Sequence, residues 1–88
     1  MDVGSTNVFD FKNLNDIVVK ETLFDAVEAL EERGYNSINQ LVGYLISGDP
    51  GYISNYKETR KKISKLDRTD ILEVLLRNYV NKQWDILV

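Results

Sequence analysis

Apolar residues in this chain recur at helical spacing, and no stretch of useful length alternates with the two-residue rhythm of a strand. The clearest run is Ile38, Leu41, Val42, Leu45 and Ile46, the i, i+3, i+4, i+7, i+8 pattern of one buried helix face. Asn36 stands before it as an N-cap, Gly48 after it as a C-terminal stop, and Pro50 blocks continuation. Upstream, a helix is predicted from about Asp16 to Arg33, with Asn15 as cap and Gly34 as stop. Its apolar stripe is Ile17, Phe24, Val27 and Leu30, with Leu23 beside it. A third helix opens at Ser54 or Asn55 and carries Tyr56, Ile63 and Leu66 on one side. A fourth begins near Asp67, where "DRTD" resembles a weak capping box. It buries Leu72, Leu75, Leu76 and Tyr79 and frays near Lys82.

Residues 1–13 show no helical period, so they read as a flexible N-terminal tail ahead of a helical domain at 14–88. The closing "QWDILV" is apolar, which suits docking on the body or on a second copy. The expected fold is therefore all-α, a compact bundle of about four helices behind a flexible tail.

Composition acts mainly by exclusion. Eighty-eight residues make one domain, and one this short has little core to spare. Without cysteine or histidine there is no disulfide framework, no thiolate or imidazole metal site and no Ser–His nucleophile. Neither an enzyme nor a bound metal or cofactor is expected. No apolar run approaches the ~20 residues of a membrane span. The start "MDVGSTNVFD" lacks the basic and apolar regions of a signal peptide. Cytoplasmic location without membrane insertion is the expectation.

A net charge of −3 disfavours non-specific nucleic-acid binding, but the charge is uneven. Asp16 to Arg33 holds six acids and two bases, whereas Ser54 to Arg68 holds six bases and two acids. Within the basic segment Lys57, Lys61, Lys65 and Arg68 stand at three- and four-residue spacing. They read either as a stripe for a phosphorylated segment or nucleic acid, or as a solvated helix face. "SGDP" at 47–50 invites a phosphate-cradle reading, but it lacks the lysine and preceding strand of a phosphate loop. Capping logic makes it a helix stop and a turn. Ser5 and Thr6 are hydroxyls within a kinase's reach if the tail is mobile. Tyr44, Tyr52, Tyr56 and Trp84 are candidate interface aromatics, with packing inside one subunit as the alternative.

A longer motif carries more. "ERGYNSINQLVGYLISGDPGYI", Glu32 to Ile53, resembles the hallmark of the IreB family of small bacterial regulatory phosphoproteins, approximately E-K-G-Y-N-P-I-N-Q-(I/L)-V-G-Y-L-(L/I)-S-G-D-P-A-Y-I. "TNVFDF" from Thr6 is similar to the family's T-x-x-F-x-F start, and "LDRTDILEVLLRNYV" more loosely resembles its end. The resemblance implies a cytosolic, non-enzymatic regulator of Gram-positive bacteria and a helical homodimer. It also implies threonine phosphorylation in the tail by a membrane Ser/Thr kinase with PASTA repeats, reversed by its cognate phosphatase. That pathway governs cell-wall stress and tolerance of wall-active antibiotics; the downstream target is not implied. By position Thr6 is the modified threonine, with Ser5 a lesser substitute, because Val3 stands where some members have a second threonine. Ser37 replaces a usual proline, and Gly51 a usual alanine.

Overall fold

The computed structural model describes the backbone of residues 3–87 and the side chains of residues 14–81. Four α-helices follow in order: α1 (Val3–Glu32), α2 (Ser37–Ser47), α3 (Thr59–Ser64) and α4 (Arg68–Leu87). Single 3₁₀ turns at Pro50–Tyr52 and Tyr56–Glu58 link α2 to α3, and among the described residues there is no strand.

The stop signals act as their chemistry requires. Gly34, at φ 79°, turns the chain out of α1, and Tyr35 N–H returns to the Leu30 carbonyl at 2.9 Å. Asn36 then caps α2, its side-chain oxygen accepting from Asn39 N–H at 3.0 Å. Gly48, at φ 78°, closes α2 by donating to the Tyr44 carbonyl at 2.7 Å. Asp67 opens α4, its carboxylate accepting from Thr69 N–H at 2.8 Å.

Two boundaries differ from expectation. α1 begins at Val3, well ahead of the helix start expected near Asp16. The physical reason is the lack of a breaker: residues 5–15 contain neither glycine nor proline, and Asn15 permits a cap without compelling one. At 1.5 Å per residue α1 is a rod of about 45 Å, in keeping with the 48 Å long axis of the molecule. α3 starts at Thr59, not at Ser54 or Asn55, because Lys57 and Glu58 both leave the right-handed helical region.

The core gathers Val19, Ala26, Leu30, Leu41, Tyr44, Ile53, Ile63, Ile71 and Val74, with Leu23, Val27, Leu45 and Leu66 packed around it. This corrects the expected inward faces of three helices. In α1 the buried positions are Val19, Ala26, Ala29 and Leu30, while Ile17 and Phe24 point outward. In α2 only Leu41 and Tyr44 of the apolar set are buried, and Ile38, Val42 and Ile46 are exposed. In α4 Ile71 and Val74 are buried, and Leu72, Leu75, Leu76 and Tyr79 are all exposed. Each of these helices carries a wider apolar arc than the chain's own core covers, and the core takes only one edge of it.

Candidate functional site: the apolar outer face and the basic segment

The "SGDP" turn is closed by its own side chains. Ser47 Oγ donates to the Gly43 carbonyl at 2.7 Å and accepts from Asp49 N–H at 3.0 Å. Asp49 Oδ1 accepts from Gly51 N–H at 2.8 Å, and Arg68 Nη1 reaches across to the Leu45 carbonyl at 3.0 Å. A Cβ on Gly48 would stand 2.9 Å from the Arg68 guanidinium carbon. These donors and acceptors serve helix capping, as the stop-and-turn reading requires.

Several neighbouring signature residues also have structural work. Gly43 faces the Tyr52 ring so closely that a Cβ would lie 2.6 Å from its Cδ1. Gln40 accepts Ser54 N–H at 2.8 Å, tying the loop to α2. Ser37, fully buried, donates its hydroxyl to Glu31 Oε2 at 2.9 Å. None of these pairings has a sequence signal beyond the motif that contains it.

The basic segment is divided by its partners. Lys57 Nζ pairs with Glu32 Oε1 at 2.9 Å, joining the Tyr56–Glu58 turn to the end of α1. Arg33 stacks over the Tyr56 ring at 4.8 Å, with Lys57 Nζ at 5.6 Å from the same centroid. Arg68 is held at the end of α2. Lys61 and Lys65 remain on the exposed side of the segment. A groove of about 690 Å³ between α1 and the basic segment mixes Lys57 and Lys62 with Asp25, Glu28, Glu31 and Glu32. The carboxylates offset the lysines there, which disfavours the nucleic-acid alternative on charge grounds.

Pairing holds the Glu32 carboxyl below its ordinary value and the Lys57 ammonium above its own, each mainly through the hydrogen bond between them. Tyr56, Arg33 and Glu28 act on the pair as well. Glu32 therefore adds stability above the ordinary glutamate value of 4.5, lost as pH falls through its lowered folded pKa. Lys57 adds stability below 10.5, lost as pH rises through its raised one. Lys57→Met is expected to return the Glu32 titration, followed by side-chain carboxyl NMR, toward 4.5. An unchanged Glu32 titration would contradict the pair.

The predicted aromatics separate. Tyr44 lies in the core at 5% exposure, the within-subunit alternative, and Tyr56 is half-buried under Arg33. Tyr52 is exposed on Gly43. Trp84, Ser5 and Thr6 lie outside the residues whose side chains are described. Sequence reading missed the outer face, because it assigned Ile38, Val42 and Ile46 on α2 and Leu72, Leu75, Leu76 and Tyr79 on α4 to the core; Val80 lies exposed on α4 as well. Ile46 is 79% exposed and Leu76 63%. Rows of aliphatic side chains at helical spacing are larger than the scattered apolar residues normal on a monomer, and they mark an interaction face.

On α1 the outward residues are Leu14, Ile17, Val18 and Phe24. Arg77 locks this helix to α4, with Nη1 2.6 Å and Nη2 3.2 Å from the two oxygens of half-buried Asp16. This bidentate contact, with Glu73 at 3.8 Å, fixes the relative rotation of the outer faces.

A family model described as IreB regulatory phosphoprotein matches residues 4–81. A curated relative, a UPF0297 protein of Ruminiclostridium cellulolyticum, is 44% identical over 80 residues, covering 91% of each chain.

Proposed function

The chain belongs to the IreB family of regulatory phosphoproteins, and from that premise we propose that it is a substrate of a PASTA-type membrane Ser/Thr kinase and its cognate phosphatase. Its setting is the cytoplasm of a Gram-positive bacterium, in cell-wall stress and antibiotic-tolerance signalling. The observation that carries the reading is the family match across residues 4–81, which includes Thr6. Residues 1–13 are the regulatory segment and 14–88 the body. Thr6 takes the phosphate, adding nearly two negative charges, and Ser5 is the lesser acceptor. The lysines at 57, 61 and 65, with Arg68, form the element that responds to phosphate.

The working unit is a homodimer. The exposed aliphatic rows of α2 and α4 support this, since a second copy of the same face covers both at once. Pooling surface also suits a chain this short. Of the candidate interface aromatics, Tyr52 and Trp84 stay in the proposal; Tyr56 joins from the rim, and Tyr44 supports the face from within.

Incubation with the kinase catalytic domain, followed by mass-spectrometric mapping, tests the modification. Phosphate is expected on Thr6, and Thr6→Ala is expected to remove most of it. Phosphate on the folded body, or none with Thr6 intact, would overturn the assignment.

A further inference from the structure

The turn Tyr56–Glu58 holds the only two non-glycine residues with positive φ among those described, and they are adjacent. Lys57 has φ 55° and ψ 30°, and Glu58 has φ 61° and ψ 27°. Side chains at Cβ make this conformation unfavourable, and it persists only where the surroundings hold it. On either side φ is negative again: Asn55 sits in the bridge region at φ −94°, ψ 19°, and Thr59 in right-handed helix at φ −58°, ψ −46°. Lys57 and Glu58 together break the helical path between Asn55 and the start of α3 at Thr59.

What holds them is visible on both sides. Ile53 and Ile63 are fully buried and Thr59 nearly so, which fixes the ends of the turn. Arg60 Nε donates to the Ile53 carbonyl at 2.8 Å, and Thr59 Oγ1 to the Tyr56 carbonyl at 2.6 Å. From α1, Glu32 holds Lys57 while Arg33 lies on Tyr56, and Glu28 adds its field. The clamp is exposed, so its hold is modest and salt-sensitive.

We propose, building on the phosphoprotein reading above, that Tyr56–Glu58 is a strained elbow clamped by Glu32. Its release carries Lys57 and Glu58 into right-handed helix and extends α3 back to Asn55. In the clamped state Lys57 points to α1 and is out of line with the other lysines. In the released state Lys57, Lys61 and Lys65 fall at i, i+4 and i+8, one row on one helix face. Glu58 then stands four residues before Lys62, a favourable helical pair. Three aligned ammonium groups repel one another, so the released state needs an anion, and a phosphorylated segment supplies it. An arriving phosphate competes with Glu32 for Lys57, and the Arg60–Ile53 bond is the contact that yields.

The test uses unmodified full-length protein, so its outcome is independent of whether Thr6 is a kinase substrate. Backbone NMR shifts of residues 55–58 are followed during titration with inorganic phosphate against chloride at matched ionic strength. In the wild type these shifts are expected to move toward helical values with phosphate and not with chloride. In Glu32→Gln they are expected to start nearer helical values and to reach the end point at several-fold lower phosphate. Glu58→Gly, which accepts positive φ without strain, is expected to raise Tm by several degrees and to weaken the response to phosphate. Shifts at 55–58 that ignore both phosphate and Glu32→Gln would overturn the proposal. So would a Tm left unchanged or lowered by Glu58→Gly.

Discussion

Tyr44→Ala is expected to cost about 3–5 kcal/mol of stability, the range for truncating a buried aromatic. Tyr44 is 5% exposed and packs in the cluster that joins α1, α2 and α4. Domains have only about 5–15 kcal/mol in total, so this one change removes a large share. For a chain of this length each kcal/mol shifts Tm by roughly 4–8 °C, which makes the loss visible in a single thermal scan. Measuring at two protein concentrations separates core from interface. A core residue lowers Tm by a similar amount at both, whereas an interface residue costs more on dilution. A small loss, or one confined to the dilute sample, would remove Tyr44 from the core.

The double change Leu72→Asp and Leu76→Asp is expected to act in the opposite sense. Both side chains are exposed on α4, so the subunit keeps its helices and its own core. Two charges set into an apolar interface lose the contacts and add desolvation. A good anchor contributes about 2 kcal/mol or more, roughly thirtyfold in Kd. Sedimentation should therefore show a dimer for the wild type at micromolar concentration and a monomer for the variant, with unchanged circular dichroism per residue. A wild-type monomer would contradict the homodimer outright. A variant that stays dimeric would move the interface away from α4.

The two experiments divide what sequence reading treated as one apolar face. In α2, Leu41 and Ile46 belong to the same periodic set, yet one is buried and the other exposed. Helical period shows that an apolar arc exists, but it cannot say which edge meets the chain's own core and which meets another molecule. In α4 the stronger half of the arc, Leu72, Leu75, Leu76 and Tyr79, is the half that faces outward.

Features set by local chemistry were legible. Asn36, Gly34, Gly48 and Asp67 mark boundaries where the structure has them, because caps and left-handed stops depend on a few neighbouring atoms. Features set by distant partners were not legible. Nothing local shows that Arg68 reaches the Leu45 carbonyl, that Asp16 pairs with Arg77 or that Glu32 holds Lys57. The late start of α3 belongs with these, since "SNYKET" offers a serviceable helix opening and tertiary contacts override it.

The unbroken length of α1 sets a limit on how a mark at Thr6 can be read. Thr6 is the fourth residue of this helix and Glu32 its last, so the two lie roughly 39 Å apart along the axis. Physiological salt screens charge over about 8 Å, so a phosphate at one tip is electrically silent at the other. Near a helix N-terminus the same phosphate is favoured by the peptide dipoles, which stiffens the end that carries it. While the rod is intact, a phosphate on Thr6 is out of reach of its own chain's basic segment, so under the proposal above the phosphate that segment answers to arrives from a second copy.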